Sequence, residues 1–193
     1  MNDRTGFISI CAAAVVALVP AIAATQDAHQ KHPAAPSGQH AMPALGDADF
    51  VHMVTKHHRD GIEMTRLEES KGTRAAVKSL AAKIRQGQER DLNELEGRYA
   101  PKAGGPKPMT SRDHQAHDAM MEKESKATMA RLQSAAGAAV DQAFIEEMIK
   151  HHETALHIVA SAKLTNAGLR TFAQQMAATQ KGEIAELKKL QAR

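Results

Sequence analysis

One arrangement, present twice, constrains this chain more than any other. The stretch 141–160 reads DQAFIEEMIKHHETALHIVA, with an adjacent pair His151-His152 inside an apolar helical pattern. The stretch 47–64 reads DADFVHMVTKHHRDGIEM and repeats it. Phe50 precedes His57 by seven residues, as Phe144 precedes His151. Each pair follows a lysine, Lys56 or Lys150, and a small residue, Gly61 or Ala155, sits four after the first histidine. A buried polar group left without a partner costs about 1–3 kcal/mol. Two histidine pairs in register on core-facing helices therefore imply a duplicated unit with a use for them.

The duplication extends beyond these helices. GEIAELKKL, starting at Gly182, aligns with RDLNELEGR, starting at Arg90, once the intervening turn is two residues different in length. Each copy is thus a helical hairpin, and short connections make antiparallel neighbours. Helices are predicted over 47–70, 74–99, 110–136, 141–165 and 169–191. Asp47 is read as the cap of the first and Thr110 or Ser111 as the cap of the third. The segment APKAGGPKPM, residues 100–109, carries three prolines and two glycines and divides the halves. Ala, Met and Leu dominate and there is no Trp, which suits helices and argues against a β-sandwich. The expected fold is all-α: a four-helix bundle built from two repeated hairpins, with the helix after the linker as a connecting element.

The flanks set the compartment. Residues 6–24, GFISICAAAVVALVPAIAA, form an apolar run that follows Arg4 and ends in small residues, the pattern of a cleaved signal peptide over 1–24. The alternative is an uncleaved membrane anchor, against which Pro20 and the small-residue end argue. The only cysteine, Cys11, lies inside this segment, so the mature chain is expected to have neither thiol nor disulfide. The protein is expected to be periplasmic or secreted, with no membrane contact after cleavage. Residues 25–46 are rich in Pro, Ala, Gln and His and are read as a mobile tail carrying His29, His32, His40 and Met42. A linker and a loose metal-collecting arm are both open readings of it. Residues 47–99, 100–109 and 110–193 are then the first hairpin, the linker, and the connecting helix with the second hairpin, packed as one domain. The net charge of +3 is interspersed and lacks a basic stripe with aromatics, so nucleic acid is not an expected partner.

At about 100° per residue, His152 and His58 fall inside the apolar sector of their helices, and His151 and His57 on its shoulder. Glu147 lies beside His151, and Met53 and Met64 beside His57; Met148 falls in the apolar sector with Phe144. Neutral imidazole suits copper, zinc, iron and nickel, and thioether suits Cu(I). With no thiolate, a structural zinc site is disfavoured. Candidate metal ligands are therefore His57, His58, His151, His152, Met53, Met64, Met148 and Glu147. A second set lies on the third helix, where His114, His117 and Met121 share a face. The bland reading is that the histidines bond carboxylates or one another and fix helix register, while the methionines fill gaps in the core. The shoulder histidines are the better metal candidates and the inward pair the better structural ones.

The stretch from Phe144 to Ala155, FxxxMIKHHxxA, resembles the hallmark of the domain of unknown function 305 family, a ferritin-like helical group. Gln180, Glu183, Ile184 and Leu187 match the helix that follows it in that family. The first half is a weaker copy, with Val54, Thr55 and Gly61 at altered positions. The resemblance implies a ferritin-like bundle and, for exported members, copper binding and tolerance through Met and His.

The expected function is thus an exported protein that binds copper, as Cu(I) or Cu(II), for sequestration, tolerance or transfer. Two alternatives stand beside it. One is a metal-free helical scaffold or stress-related binding module. The other is a ferritin-like metal oxidase, against which the absence of any Glu-x-x-His in the sequence argues. No nucleophile triad or phosphate loop stands out, so no enzyme activity is expected. The sequence leaves open whether a second copy of the chain or a copper-handling protein is its partner.

Overall fold

The computed structural model describes residues 44–100 and 112–192. The signal-like segment, the tail as far as residue 43 and residues 101–109 of the linker lie outside the described residues. Five helices follow in order: α1 Asp47–Lys71, α2 Ala75–Glu94, α3 Arg112–Ser134, α4 Ala138–Ser161 and α5 Ala167–Gln191. A π-helical turn, Leu95–Tyr99, extends α2. No strand occurs among the described residues, and no helix there is long and apolar enough to cross a membrane. The architecture is all-α and ferritin-like: hairpins α1–α2 and α4–α5 form the bundle, and α3 lies across α1 and α4.

The repeat is visible as an approximate two-fold axis that exchanges α1 with α4 and α2 with α5. Asp47 and Asp141 are equivalent positions, and each holds the other hairpin's turn. The Asp47 carboxylate accepts from the Thr165 amide at 2.9 Å and the Thr165 hydroxyl at 2.5 Å. The Asp141 carboxylate accepts from the Arg74 amide at 2.9 Å and the Thr73 hydroxyl at 2.6 Å. Those amides belong to helix starts, where backbone donors lack intrahelical acceptors. The aspartates therefore cap in trans. Asp47 does not cap α1, as the sequence pattern suggests; Gly46 occupies that position without a side-chain bond. Likewise α4 begins at Ala138, ahead of Asp141, after Gly137 turns the chain at φ 57°.

Two apolar clusters are related by the same axis. One holds Phe50, Val54, Leu95, Ile158 and Phe172; the other holds Phe144, Met148, Leu187, Met64 and Ile84. Position by position Phe50 answers Phe144, Val54 answers Met148, and Ile158 answers Met64. The histidine pairs fall between the clusters along α1 and α4, so they form a polar belt across the middle of the bundle. Leu45, in the segment read from sequence as tail, is fully buried in the first cluster and bonded through its backbone to Ser161 and Lys163.

α3 is attached mostly by polar contacts. Lys71 Nζ donates to the Gln133 carbonyl at 2.8 Å, and Arg131 donates to Glu146 at 2.5 Å and to Glu147. Its buried apolar residues include Met121 and Leu132.

Candidate metal centre

His57 and His151 meet on the pseudo-two-fold axis. Their rings stack with centroids 3.6 Å apart and 12° between planes. The Nε2 of each lies 3.0 Å from the backbone carbonyl of the other. A carbonyl oxygen only accepts, so each imidazole must donate from Nε2, and the lone pair of each neutral ring is on Nδ1. The Nδ1 of His151 is buried with no protein partner.

Burial holds both rings neutral. It pushes His57 down to about 3, helped by repulsion from His58 and His152 and opposed by the His151 backbone bond. His151 lies well below the ordinary histidine value, again chiefly through burial, with His57, His152 and His58 adding to the shift. A neutral ring with one N–H anchored on a carbonyl and the other nitrogen bare is the usual state of a metal-binding histidine.

This pair forms one wall of a cleft of about 450 Å³ between α1, α3 and α4. Met64, Met121 and Glu147 line it as well, together with Asp60, Glu124 and Lys150. The cleft thus gathers five residues that the sequence singles out: His57, His151, Met64, Met121 and Glu147. Glu147 is committed elsewhere, since its carboxylate accepts from Arg131, Lys150 and Thr128. Burial alone would raise its pKa, but those partners outweigh it and hold the carboxyl below its ordinary value.

The other two histidines face away from the cleft. His58 Nε2 lies 3.0 Å from an oxygen of Asp91 on α2, and His152 Nε2 lies 2.9 Å from one of Glu183 on α5. Both rings are fully buried. Each carboxylate stands beside a histidine of the same hairpin, at positions that the repeat aligns, and the His58–Asp91 approach has hydrogen-bond geometry. Successive residues on one helix, about 100° apart, therefore serve different neighbours: the first histidine meets its copy, the second a carboxylate.

Some expectations need correction. Met53, placed from sequence beside His57, packs instead in the Phe50 cluster, and Met148 packs in the Phe144 cluster. Along its length α1 packs against α2, α3 and α4, so angle from Phe alone does not tell which of its core methionines also borders the cleft. His57, read from sequence as a residue on the shoulder of the apolar sector, is 3% exposed, and the ring of His151 stacks on it. The side chains of His114 and His117 lie outside the described residues. Among the described residues, no three His, Cys, Asp or Glu side chains converge as a metal cage. Asp91 was not singled out as a site residue, although the alignment that sets it opposite Glu183 is the signal that could have found it. Gln88 stands three residues before Asp91 as Gln180 stands before Glu183, and it too went unmarked.

The family model for the domain of unknown function DUF305 matches residues 47–191. The chain belongs to the DUF305 family. Solved DUF305 structures share its fold. A fragment from Deinococcus radiodurans, 24% identical, aligns with a TM-score of 0.63 over 76% of this chain and 95% of that one. A DUF305 protein from Streptomyces coelicolor, 22% identical, aligns at 0.61 over 79% and 94%. CopM in its Cu(I)-bound form, 25% identical, aligns at 0.58 over 75% and 94%. No functionally curated protein matches the chain.

Proposed function

We propose that this DUF305 protein is an exported copper-binding protein that holds the ion at the cleft between α1, α3 and α4, for sequestration, tolerance or transfer. The observation that carries the reading is the His57–His151 pair. Each ring is fixed by an Nε2–H donated to a carbonyl, which leaves Nδ1 as the lone-pair nitrogen. Met64 and Met121 line the same cleft. Two imidazoles and two thioethers form a soft donor set that favours Cu(I) over hard cations. The similarity to CopM, which was solved with Cu(I), Cu(II) and silver, supports the same reading. Export is supported by the signal-like residues 1–24, ahead of the folded part. The role is binding and not catalysis.

One observation favours a second reading, a metal-free scaffold in which the histidines are structural. Each of the four already has a protein oxygen within 3.0 Å of one ring nitrogen. One titration separates the two. Cu(I) and Cu(II) are added to the metal-free mature protein and to the double variant His57→Ala/His151→Ala. Loss of at least about 100-fold in affinity is expected, given that even outer-shell partners are worth about 10–100-fold. Unchanged stoichiometry and affinity would sink the assignment. Met64→Leu and Met121→Leu should weaken Cu(I) more than Cu(II).

A further inference from the structure

The two central histidines are equivalent by the repeat but not in their surroundings. Beside His151 stands Gly61 of α1; the corresponding residue of α4 is Ala155. A methyl group placed on Gly61 would lie 2.3 Å from Oε1 and 2.9 Å from Nε2 of Gln88, and 2.8 Å from Cε1 of His151. The amide of Gln88 and the Cε1–Nδ1 edge of the His151 ring thus share the space that one side-chain carbon would fill. Gln88 reaches this point from α2 and is 4% exposed. Both of its amide atoms, and the Nδ1 of His151, are buried with no hydrogen-bond partner. The requirements are complementary. His151 Nδ1 carries a lone pair, because its proton is on Nε2, and the Gln88 amide has N–H groups to give. The two ends of a glutamine amide exchange by a flip, so either its oxygen or its N–H groups can face the ring.

We propose that Gln88 is the positioning residue of this site: its amide, admitted by Gly61, caps the Nδ1 lone pair of His151 and leaves His57 as the free ligand that takes an incoming metal ion first. The metal half of this statement rests on the reading of His57 and His151 as ligands; the capping half does not. At the equivalent position of the other copy, Ala155 carries the methyl group that Gly61 lacks. Loading the second histidine requires the Gln88 amide to turn away.

The test uses the ¹⁵N-labelled mature chain without metal and long-range ¹H–¹⁵N correlation of the histidine rings. In the wild type, His151 should be the Nε2–H tautomer with its Nδ1 resonance upfield of a free lone-pair nitrogen. Gln88→Leu should move that Nδ1 resonance to the free position without changing the tautomer. Gly61→Ala should do the same by expelling the amide, and as a helix-interior Gly→Ala change it keeps the helix intact. Gln180→Leu should leave His151 unmoved. Titration with Cu(I) should then give about tenfold tighter binding in Gln88→Leu, the worth of one buried hydrogen bond. A His151 Nδ1 resonance that is the same in wild type, Gln88→Leu and Gly61→Ala overturns the capping, and water alone then satisfies the nitrogen. If the resonance moves as expected while His57→Ala binds Cu(I) like the wild type, the capping stands and the assignment of the ligands falls.

Discussion

The trans caps give the sharpest test of how this bundle is held together, because the repeat supplies its own control. Asp141→Ala and Asp47→Ala remove the same kind of group from equivalent positions. Each carboxylate accepts from two backbone amides and a threonine hydroxyl. The difference is solvent. Asp141 is fully buried, whereas the Asp47 bonds are exposed. A net hydrogen bond is worth about 0.5–1.5 kcal/mol, towards the upper end where its acceptor is buried, and three of them give about 3–4 kcal/mol. Helix propensity returns about 0.5 kcal/mol when Ala replaces Asp in α4. Asp141→Ala should therefore destabilise by about 3 kcal/mol. At Asp47 water replaces the lost acceptor, and the expected cost is about 0.5–1 kcal/mol. Charge–dipole effects at the helix starts are shared by both variants and cancel in the comparison. Urea denaturation at pH 7 and 25 °C, with unchanged m-values, measures both. Costs equal to within about 0.5 kcal/mol would refute the argument that burial of the cap decides its worth.

Three further outcomes follow from the same geometry. Burial beside Asp141 raises the Glu68 carboxyl from 4.5 to about 8, against the pull of Lys78 and Arg74. Because the folded value is raised, this group's contribution is intact below pH 4.5 and is lost as pH climbs towards 8. Glu68→Gln should remove that fall, which thermal melts across pH 4–9 compare directly; parallel curves for the two proteins would count against it. Asp141 has the opposite sign. Burial raises it, but the Thr73 hydroxyl and the Arg74 and Thr73 amides outweigh burial, and its pKa is depressed. Its support is therefore present above pH 3.8 and disappears in acid, so Asp141→Asn should flatten the acid limb of the stability curve. Finally, Asp91→Ala and Glu183→Ala each strip a fully buried histidine of its carboxylate and should cost about 1–3 kcal/mol in urea melts. Costs under about 0.5 kcal/mol would mean that these pairs do not hold the belt.

Much of the site was legible because the signal is periodic. A run such as FIEEMIKHHETA carries its phase with it, and a second run in the same phase declares a repeat. From phase alone, the first histidine of each pair was separated from the second, and the structure keeps that separation: His57 and His151 line a cleft, His58 and His152 meet carboxylates. The methionines were not separable in this way. Met53 and Met64 both flank His57 by angle and both pack in the core, yet Met64 also borders the cleft and Met53 does not. The neighbour differs along the length of α1, and no local pattern records where α3 crosses it.

By itself, then, the sequence determined the helices, the duplication and the residue types at its centre, since these depend on contacts within a turn or two of helix. Only the tertiary structure decided what those residues do to one another. The stacking of His57 on His151, the exchange of caps between Asp47 and Asp141, and the seat that Gly61 leaves for Gln88 all depend on how α1 and α4 cross. That crossing is set by apolar clusters drawn from all five helices, packed to a tolerance finer than one methyl group.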